Sequence, residues 1–223
     1  MQIQFRAWEE VNDERALFLR CYTMMTSNML VAVECRAFRD CVWVDQLLHR
    51  FADYYFIALD DYERDPRSAP VVWQVAHRAA AETGISALQK LLLGVSAHIN
   101  YDLVLTLVDL LDPEWSTLDA RMRSTRYEDH CQVNDVIGRS IDAVQDEVVG
   151  PAMPFMTYLD MALGPIDELL ISHLIARWRE GVWRNAIQLL TAADVQSRSA
   201  ILQMVETDAV QVARSICRAA SPD

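Results

Sequence analysis

Residues 85–111 read ISALQKLLLGVSAHINYDLVLTLVDLL, and this stretch decides the fold. Apolar side chains occupy almost every side of a helix through it, and the first proline after it is Pro113. A surface helix would show a polar half, so a helix that is apolar all round indicates one enclosed by its own protein. We therefore predict an all-α protein organised around a buried central helix over residues 84–112.

The segments on either side of this stretch also show helical periodicity. Apolar residues recur at three- and four-residue spacing, breaks rich in Gly and Pro separate the segments, and no alternating strand pattern is present. The pattern predicts one domain over residues 1–223. We expect a bundle of about seven helices, over roughly residues 14–38, 40–62, 71–82, 84–112, 127–149, 166–192 and 195–219.

Composition argues against several classes of partner. The net charge is −12, whereas nucleic acids and anionic membranes attract cationic surfaces. Five cysteines form no CxxC pair and the N-terminus is too acidic for a signal peptide, so we expect reduced thiols in the cytoplasm. No uninterrupted apolar run reaches the roughly 18 residues that span a membrane, so we expect no membrane span. A homo-oligomer is compatible with the sequence.

Two polar residues interrupt the central apolar stretch. His98 and Asp102 are four residues apart, which places them on one face of a helix, one turn from each other. Burying an imidazole and a carboxylate is costly unless their polar atoms find partners. A mutual hydrogen bond, an ion pair to an arginine or a divalent metal would each provide them. The two residues can form an acid/base pair or ligate a metal, and a purely structural pair is equally compatible.

A second set of polar residues lies on the helix expected over residues 127–149. Asn134 falls on the apolar face of that helix, where its amide needs partners. Gly138 lies one turn later, and Gly94 lies one turn before the central histidine, so each leaves room for a ligand or a close helix. We predict a pocket between the two helices, in which Asn134 orients a substrate and Tyr127 is an accessory catalytic residue.

Aromatic and basic residues elsewhere give weaker signals. Trp73 and His77 are four residues apart, a spacing that usually reflects packing, but His77 becomes a third metal ligand if its helix docks on the central one. Residues 177–184 hold three arginines and two tryptophans. Such a cluster can line a site for an anionic or aromatic ligand, although a helix–helix seam is the more frequent outcome.

Two acidic segments resemble the metal boxes of class I terpene synthases. Residues 60–65, DDYERD, match a DDxxxD box, and residues 134–142, NDVIGRSID, are loosely similar to the second box. The resemblance implies Mg²⁺ held against a diphosphate by Asp60, Asp61 and Asn134. The chain is short for that fold, the boxes are close together and the last position is Asp rather than Glu. Solvated helix ends are therefore the favoured interpretation of these acids.

The motif AHINYDL, residues 97–103, resembles an uncharacterised bacterial family, a domain of unknown function whose members carry AHINxDL in a long apolar helix. The elements FADYY, PVVW, VNDV and REGVW, at residues 51–55, 70–73, 133–136 and 179–183, extend the similarity over most of the chain. The resemblance implies a single helical domain and no established activity.

Three hypotheses about function remain open. The first is an enzyme that uses His98 and Asp102 for cyclisation, isomerisation or hydrolysis of a small hydrophobic substrate. The second is a Mg²⁺-dependent terpenoid diphosphate enzyme that uses Asp60 and Asp61. The third is a non-catalytic binding or scaffold protein, in which the histidine–aspartate pair only fixes the core.

Overall fold

The computed structural model describes residues 1–144 and 166–218. Within these ranges the protein has eight helices and no strand, which confirms the expected all-α fold and comes close to the expected seven helices. The helices are α1 (Gln2–Glu10), α2 (Arg15–Glu34), α3 (Cys41–Arg64), α4 (Val71–Ala80), α5 (Ala87–Trp115), α6 (Ala120–Val144), α7 (Ile166–Leu190) and α8 (Val195–Arg218).

The central helix α5 begins at a capping box. Ser86 Oγ accepts a hydrogen bond from the backbone N–H of Gln89, and Gln89 Oε1 accepts one from the backbone N–H of Ser86. These reciprocal bonds satisfy backbone donors that a helix start leaves without partners. From there α5 runs through the interior, and Leu93 and Leu103 are fully buried. The prediction of a buried central helix is confirmed.

One turn of α5 is not α-helical. Ala87–Ala97 and Leu103–Trp115 are α-helical, and His98–Asp102 between them forms a π turn. Backbone hydrogen bonds in a π turn span five residues instead of four, so the turn accommodates an extra residue and is often found at functional sites. The sequence gives no sign of this turn, although it coincides with the HINYD part of the motif.

Apolar side chains pack around both halves of α5. One cluster joins the first half to α1, α2, α3, α4 and α8 and includes the buried Trp73. A second cluster joins the second half to α2, α3, α6, α7 and α8 and includes the fully buried Leu107. Val95 and Tyr101 pack against both clusters. The π turn therefore lies where the two halves of the core meet.

The helices differ from expectation at two places, a helix that was not predicted and the end of α5. The helix α1 was not predicted, because Gln2–Glu10 is polar and buries only Trp8. Pro113 does not end α5, which continues for two more residues, since an exposed proline in the last turn removes a single backbone hydrogen bond. Asp40 caps α3, since its Oδ1 accepts a hydrogen bond from the backbone N–H of Trp43 at 3.0 Å.

Two helices, Arg15–Glu34 and Ala87–Trp115, are long and apolar enough to cross a membrane by length and hydropathy. In α5, 72% of the apolar 18-residue segment that meets this criterion is buried inside the protein, which agrees with the place of α5 in the core. In α2, near the N-terminus, the buried share is 28%. Length and composition alone do not assign either helix to a membrane.

Gly94 sets the distance between α2 and α5. A Cβ atom at this position would lie 2.6 Å from Phe18 Cγ and Cδ2 and 3.0 Å from Phe18 Cβ. The sequence left two explanations for this glycine, a space for a ligand or a close helix. The structure shows the close helix, because the Phe18 side chain fills the space.

We expect Gly94→Ala to lower the free energy of unfolding by about 1–3 kcal/mol, because the added methyl group forces Phe18 and α2 outward. Urea unfolding measures the change. The matched control is Gly181→Ala in α7, where a Cβ would meet no atom within 4 Å. The control should leave stability unchanged or raise it by up to about 1 kcal/mol, since alanine favours helix. Equal losses in both variants would contradict the close approach at Gly94.

Candidate functional site

His98 and Asp102 form a buried hydrogen-bonded pair at the π turn. His98 Nδ1 lies 2.9 Å from Asp102 Oδ2. The two residues are only 3% and 1% exposed. The four-residue spacing thus produces the contact expected from the sequence, and a mutual hydrogen bond is one of the three arrangements that could satisfy these buried groups.

Trp73 supplies a second donor to the same carboxylate. Its Nε1–H lies 3.1 Å from Asp102 Oδ1 and 3.0 Å from Oδ2. Trp73 is 1% exposed and comes from α4, so the contact ties α4 to the middle of α5. The carboxylate of Asp102 therefore receives N–H groups from two sides, and it holds both aromatic rings in fixed orientations.

Burial shifts both ionisation equilibria of the pair. Burial lowers the pKa of His98 below 6.5, with the hydrogen bond to Asp102 acting in the opposite direction. Burial raises the pKa of Asp102 above 3.8, opposed by its bonds to His98 and Trp73. We therefore assign a neutral imidazole to His98, with the proton on Nδ1 because this atom faces an acceptor. Nε2 then carries a free lone pair.

The Nε2 atom of His98 has no hydrogen-bond partner among the described residues, although it is buried. Aromatic rings surround the imidazole instead. Phe51 stacks on it with ring centroids 3.5 Å apart and planes 7° apart, and Tyr22 meets it edge-on at 4.4 Å. An unpartnered polar atom in such surroundings is costly, and buried polar atoms of this kind are uncommon in proteins. The contact with Phe51 and Tyr22 fixes the imidazole plane.

His98 lies on the wall of an apolar cavity with a volume of about 180 Å³. Helices α2, α3, α5, α6 and α7 all contribute to the wall. Two of them are the helices between which the sequence predicted a pocket, and the Met-bearing α2 is a further wall. The residues that line the cavity are Phe18, Cys21, Tyr22, Met25, Thr26, Met29, Leu47, Leu48, Phe51, Leu88, Leu91, Leu92, Val95, His98, Ile99, Val133, Ile137, Ile171, Ile175 and Arg179.

Asn134 does not line this cavity. Its Oδ1 accepts a hydrogen bond from Nε of Arg179 at 2.7 Å, across the contact between α6 and α7. Arg179 does line the cavity and is 3% exposed. The amide that was expected to orient a substrate instead orients an arginine that faces the cavity. Gly138, one turn along, lies where α7 passes, and a Cβ there would be 3.5 Å from Ser172 Oγ.

Tyr127 lies on the surface, away from His98. Its side chain is exposed, its hydroxyl donates to Glu180 Oε2 at 2.8 Å, and its ring contacts Trp183. The hydrogen bond to Glu180 raises the pKa of the Tyr127 hydroxyl above its usual range. The structure therefore does not bring Tyr127 into the cavity, and we omit it from the site.

His77 does not line the cavity. Its ring stacks on Trp73 with centroids 5.3 Å apart and touches Tyr62, and burial lowers its pKa to about 3. His77 borders a separate polar cleft with Arg15 and does not share a site with His98. In the part of the chain that the structure describes, no group of three or more His, Cys, Asp or Glu side chains could hold a metal ion. His98, Asp102 and His77 thus do not form a common metal site.

The acidic box at residues 60–65 lies at the C-terminal end of α3. Asp60 is exposed, and Asp61 pairs with Arg64 at 3.1 Å. Neither residue lines the cavity. Asn134, the residue shared with the second box, is bonded to Arg179 instead. The three residues proposed as Mg²⁺ ligands are therefore engaged in separate contacts, and a solvated helix end describes Asp60 and Asp61 well.

Sequence reasoning missed several side chains of the candidate site. Phe51 entered the sequence interpretation only as part of the FADYY element, and the contact of Trp73 with Asp102 was not predicted. Arg179 was noted only as one member of a cluster, with no indication that it is the buried one. For Arg179 the sequence carried one signal, the three arginines and two tryptophans within residues 177–184. For the contacts of Phe51 and Trp73 it carried none.

No curated protein and no solved structure matches the chain. A family model described as "Family of unknown function (DUF5995)" matches residues 1–219, a range that includes the buried pair and all the described residues that line the cavity. This match confirms the resemblance to an uncharacterised family. The chain belongs to the family of unknown function DUF5995.

Proposed function

We propose that the protein is an enzyme in which His98 moves a proton on a small hydrophobic substrate bound in the cavity. One observation carries this proposal. The Nε2 atom of His98 is buried, lacks a partner among the described residues, and belongs to a residue that lines an otherwise apolar cavity. Perturbed titratable groups in a cleft of this kind are typical of functional sites.

Asp102 acts as the residue that orients the base. Its hydrogen bond keeps the proton of His98 on Nδ1 and thereby leaves the Nε2 lone pair free. A carboxylate in this position also stabilises the imidazolium that forms when Nε2 takes a proton. Trp73 holds the carboxylate from the other side. In this scheme Asp102 and Trp73 are positioning residues, and His98 is the group that meets the substrate.

The cavity wall favours direct proton transfer over a covalent intermediate. Cys21 and Tyr22 are the wall residues that carry a thiol and a phenol. Burial raises the pKa of Cys21 to about 12 and raises the pKa of Tyr22 further above its usual value. Both groups stay protonated and are not activated nucleophiles. His98 therefore acts on the substrate itself, as in isomerisation or cyclisation, or on a water that attacks it.

The test uses a chromogenic substrate for carbon deprotonation, a nitrobenzisoxazole, whose ring opens to a coloured phenolate when a base removes its C–H proton. We expect the wild-type protein to accelerate ring opening, and the rate to fall at acidic pH as His98 becomes protonated. Replacement His98→Gln should lower the rate by about 10²-fold or more, the usual contribution of a positioned base.

The matched control is His49→Gln, because the side chain of His49 is 72% exposed and lies on the outer side of α3. Binding of the probe to both variants is checked by titration. If the probe binds and His98→Gln opens the ring as fast as the wild type, His98 is not a base toward cavity ligands, and the enzyme proposal is wrong.

A further inference from the structure

Arg179 is a buried guanidinium on the wall of the same cavity as His98. It is 3% exposed, in the middle of α7, among side chains that are otherwise almost all apolar. A buried charge is expensive unless a counter-charge or a set of hydrogen bonds compensates it. The partners of Arg179 therefore decide what it does.

The hydrogen-bond partners of Arg179 among the described residues are all neutral groups. Nε donates to Asn134 Oδ1 at 2.7 Å, and Nη2 donates to the backbone carbonyl oxygen of His130 at 2.8 Å. Nη2 also lies 3.3 Å from Nδ1 of His130, whose Nε2 faces the carbonyl oxygen of Arg179 at 3.0 Å. Nη1, with two N–H groups, makes no hydrogen bond in the described ranges.

This arrangement differs from that of the arginines that have acidic partners. Arg126 contacts Asp40 and Glu114 at 2.6 and 2.9 Å, and these carboxylates raise its pKa. Arg50, paired with Asp109, behaves in the same way. For Arg179 burial lowers the pKa to about 10, the opposite direction. Its positive charge is therefore not neutralised by a described carboxylate.

The fixed orientation of the guanidinium suits an anionic ligand. Asn134 and His130 hold Nε and Nη2, which leaves the Nη1 edge free, and a planar guanidinium binds a carboxylate through directed hydrogen bonds. A single arginine among apolar side chains matches a monoanion better than a phosphate dianion. Most of the other described wall residues are apolar, which suits an apolar body.

The volume limits the size of that body. The cavity measures about 180 Å³, and a cavity of about 150 Å³ in another protein holds one benzene molecule. We propose that the cavity binds an apolar monocarboxylate, with its carboxylate on Arg179 and an aromatic or short alkyl body extending toward His98. This inference rests on the proposed function, because it names the substrate class of the same pocket.

The test compares phenylpropanoate with its uncharged isostere phenylpropanamide by titration calorimetry. We expect the wild-type protein to bind the carboxylate at least tenfold more tightly than the amide. Arg179→Met should abolish this preference, and Arg179→Lys, which keeps the charge without the planar fork, should retain part of it. The matched control is Arg177→Met, an exposed arginine of the same helix, which should bind both ligands as the wild type does.

Equal affinity for the two ligands in the wild type, or no binding of the carboxylate at millimolar concentration, overturns the inference. A preference for the carboxylate that persists in Arg179→Met also overturns the inference. Near-ultraviolet circular dichroism shows whether that variant is folded. The wild-type comparison stands even if the variant is not folded. His98→Gln separates this result from the proposed function. If His98→Gln still prefers the carboxylate but no longer transfers a proton, carboxylate binding at Arg179 is independent of the base at His98.

Discussion

Replacement Asp102→Ala is expected to lower the free energy of unfolding by about 2–6 kcal/mol, because two buried donors lose their acceptor and each unsatisfied donor costs about 1–3 kcal/mol. The carboxylate accepts hydrogen bonds from His98 Nδ1 and Trp73 Nε1, and both donors are buried. Without the carboxylate, two N–H groups lose their acceptor and a small cavity opens in the middle of α5. Urea unfolding monitored by tryptophan fluorescence and circular dichroism measures the loss.

Two further variants separate the causes. Asp102→Asn keeps the volume and one acceptor, so we expect a loss smaller than that of the alanine variant. Asp53→Ala removes an exposed carboxylate from α3 and should change stability little, as surface charges usually do. If Asp102→Ala were as harmless as Asp53→Ala, the pair would not hold the core, and the orientation of His98 would need another explanation.

Acidification is expected to destabilise the protein steeply below pH 6.5. Three histidines, His77, His98 and His130, are buried, and burial lowers the pKa of each. The unfolded chain takes up these three protons near pH 6.5, and the native protein does not. The unfolded state therefore binds more protons, and stability falls as the pH falls, by up to about 1.4 kcal/mol per pH unit for each histidine.

Asp102 acts in the opposite direction. Its pKa is raised above 3.8, so the native state binds its proton earlier than the unfolded state does. Acidification through this window therefore favours the native state at this one group. We expect the slope to approach its full value about one pH unit below 6.5, where the unfolded histidines are almost fully protonated, and to become shallower as Asp102 is protonated.

Urea unfolding at a series of pH values measures this slope. His77→Leu should reduce the slope by the contribution of one proton, about 1.4 kcal/mol per pH unit. The control His49→Asn replaces an exposed histidine of α3 and shows whether the loss of any one histidine changes the slope. A slope that does not respond to His77→Leu would show that this histidine is protonated in the native protein.

The sequence predicted the central helix and the pair on it for clear physical reasons. A stretch that is apolar on all sides has to be buried, and a four-residue spacing brings His98 and Asp102 together on one helix. The π turn could not be predicted in this way. Its signal would be a shift in the phase of the apolar pattern, and a helix that is apolar all round has no phase to shift.

The walls of the cavity depend on tertiary contacts that spacing does not reveal. The bond from Arg179 to Asn134 joins residues 45 positions apart, and the stacking of Phe51 on His98 depends on how α3 crosses α5. Met25 and Met29 of α2 line the cavity, but methionines at helical spacing in a sequence are equally well explained by core packing. The helix α1 was missed because a single buried residue, Trp8, gives no periodicity.

The ring-nitrogen chemical shifts of His98, measured by heteronuclear NMR near neutral pH with and without phenylpropanamide, test the central claim most directly. We predict a neutral imidazole with the proton on Nδ1 and a free lone pair on Nε2, and a change at Nε2 when the ligand fills the cavity. A proton on Nε2, a charged imidazolium, or an Nε2 signal that a bound ligand does not change would contradict the claim that His98 presents a base to the cavity.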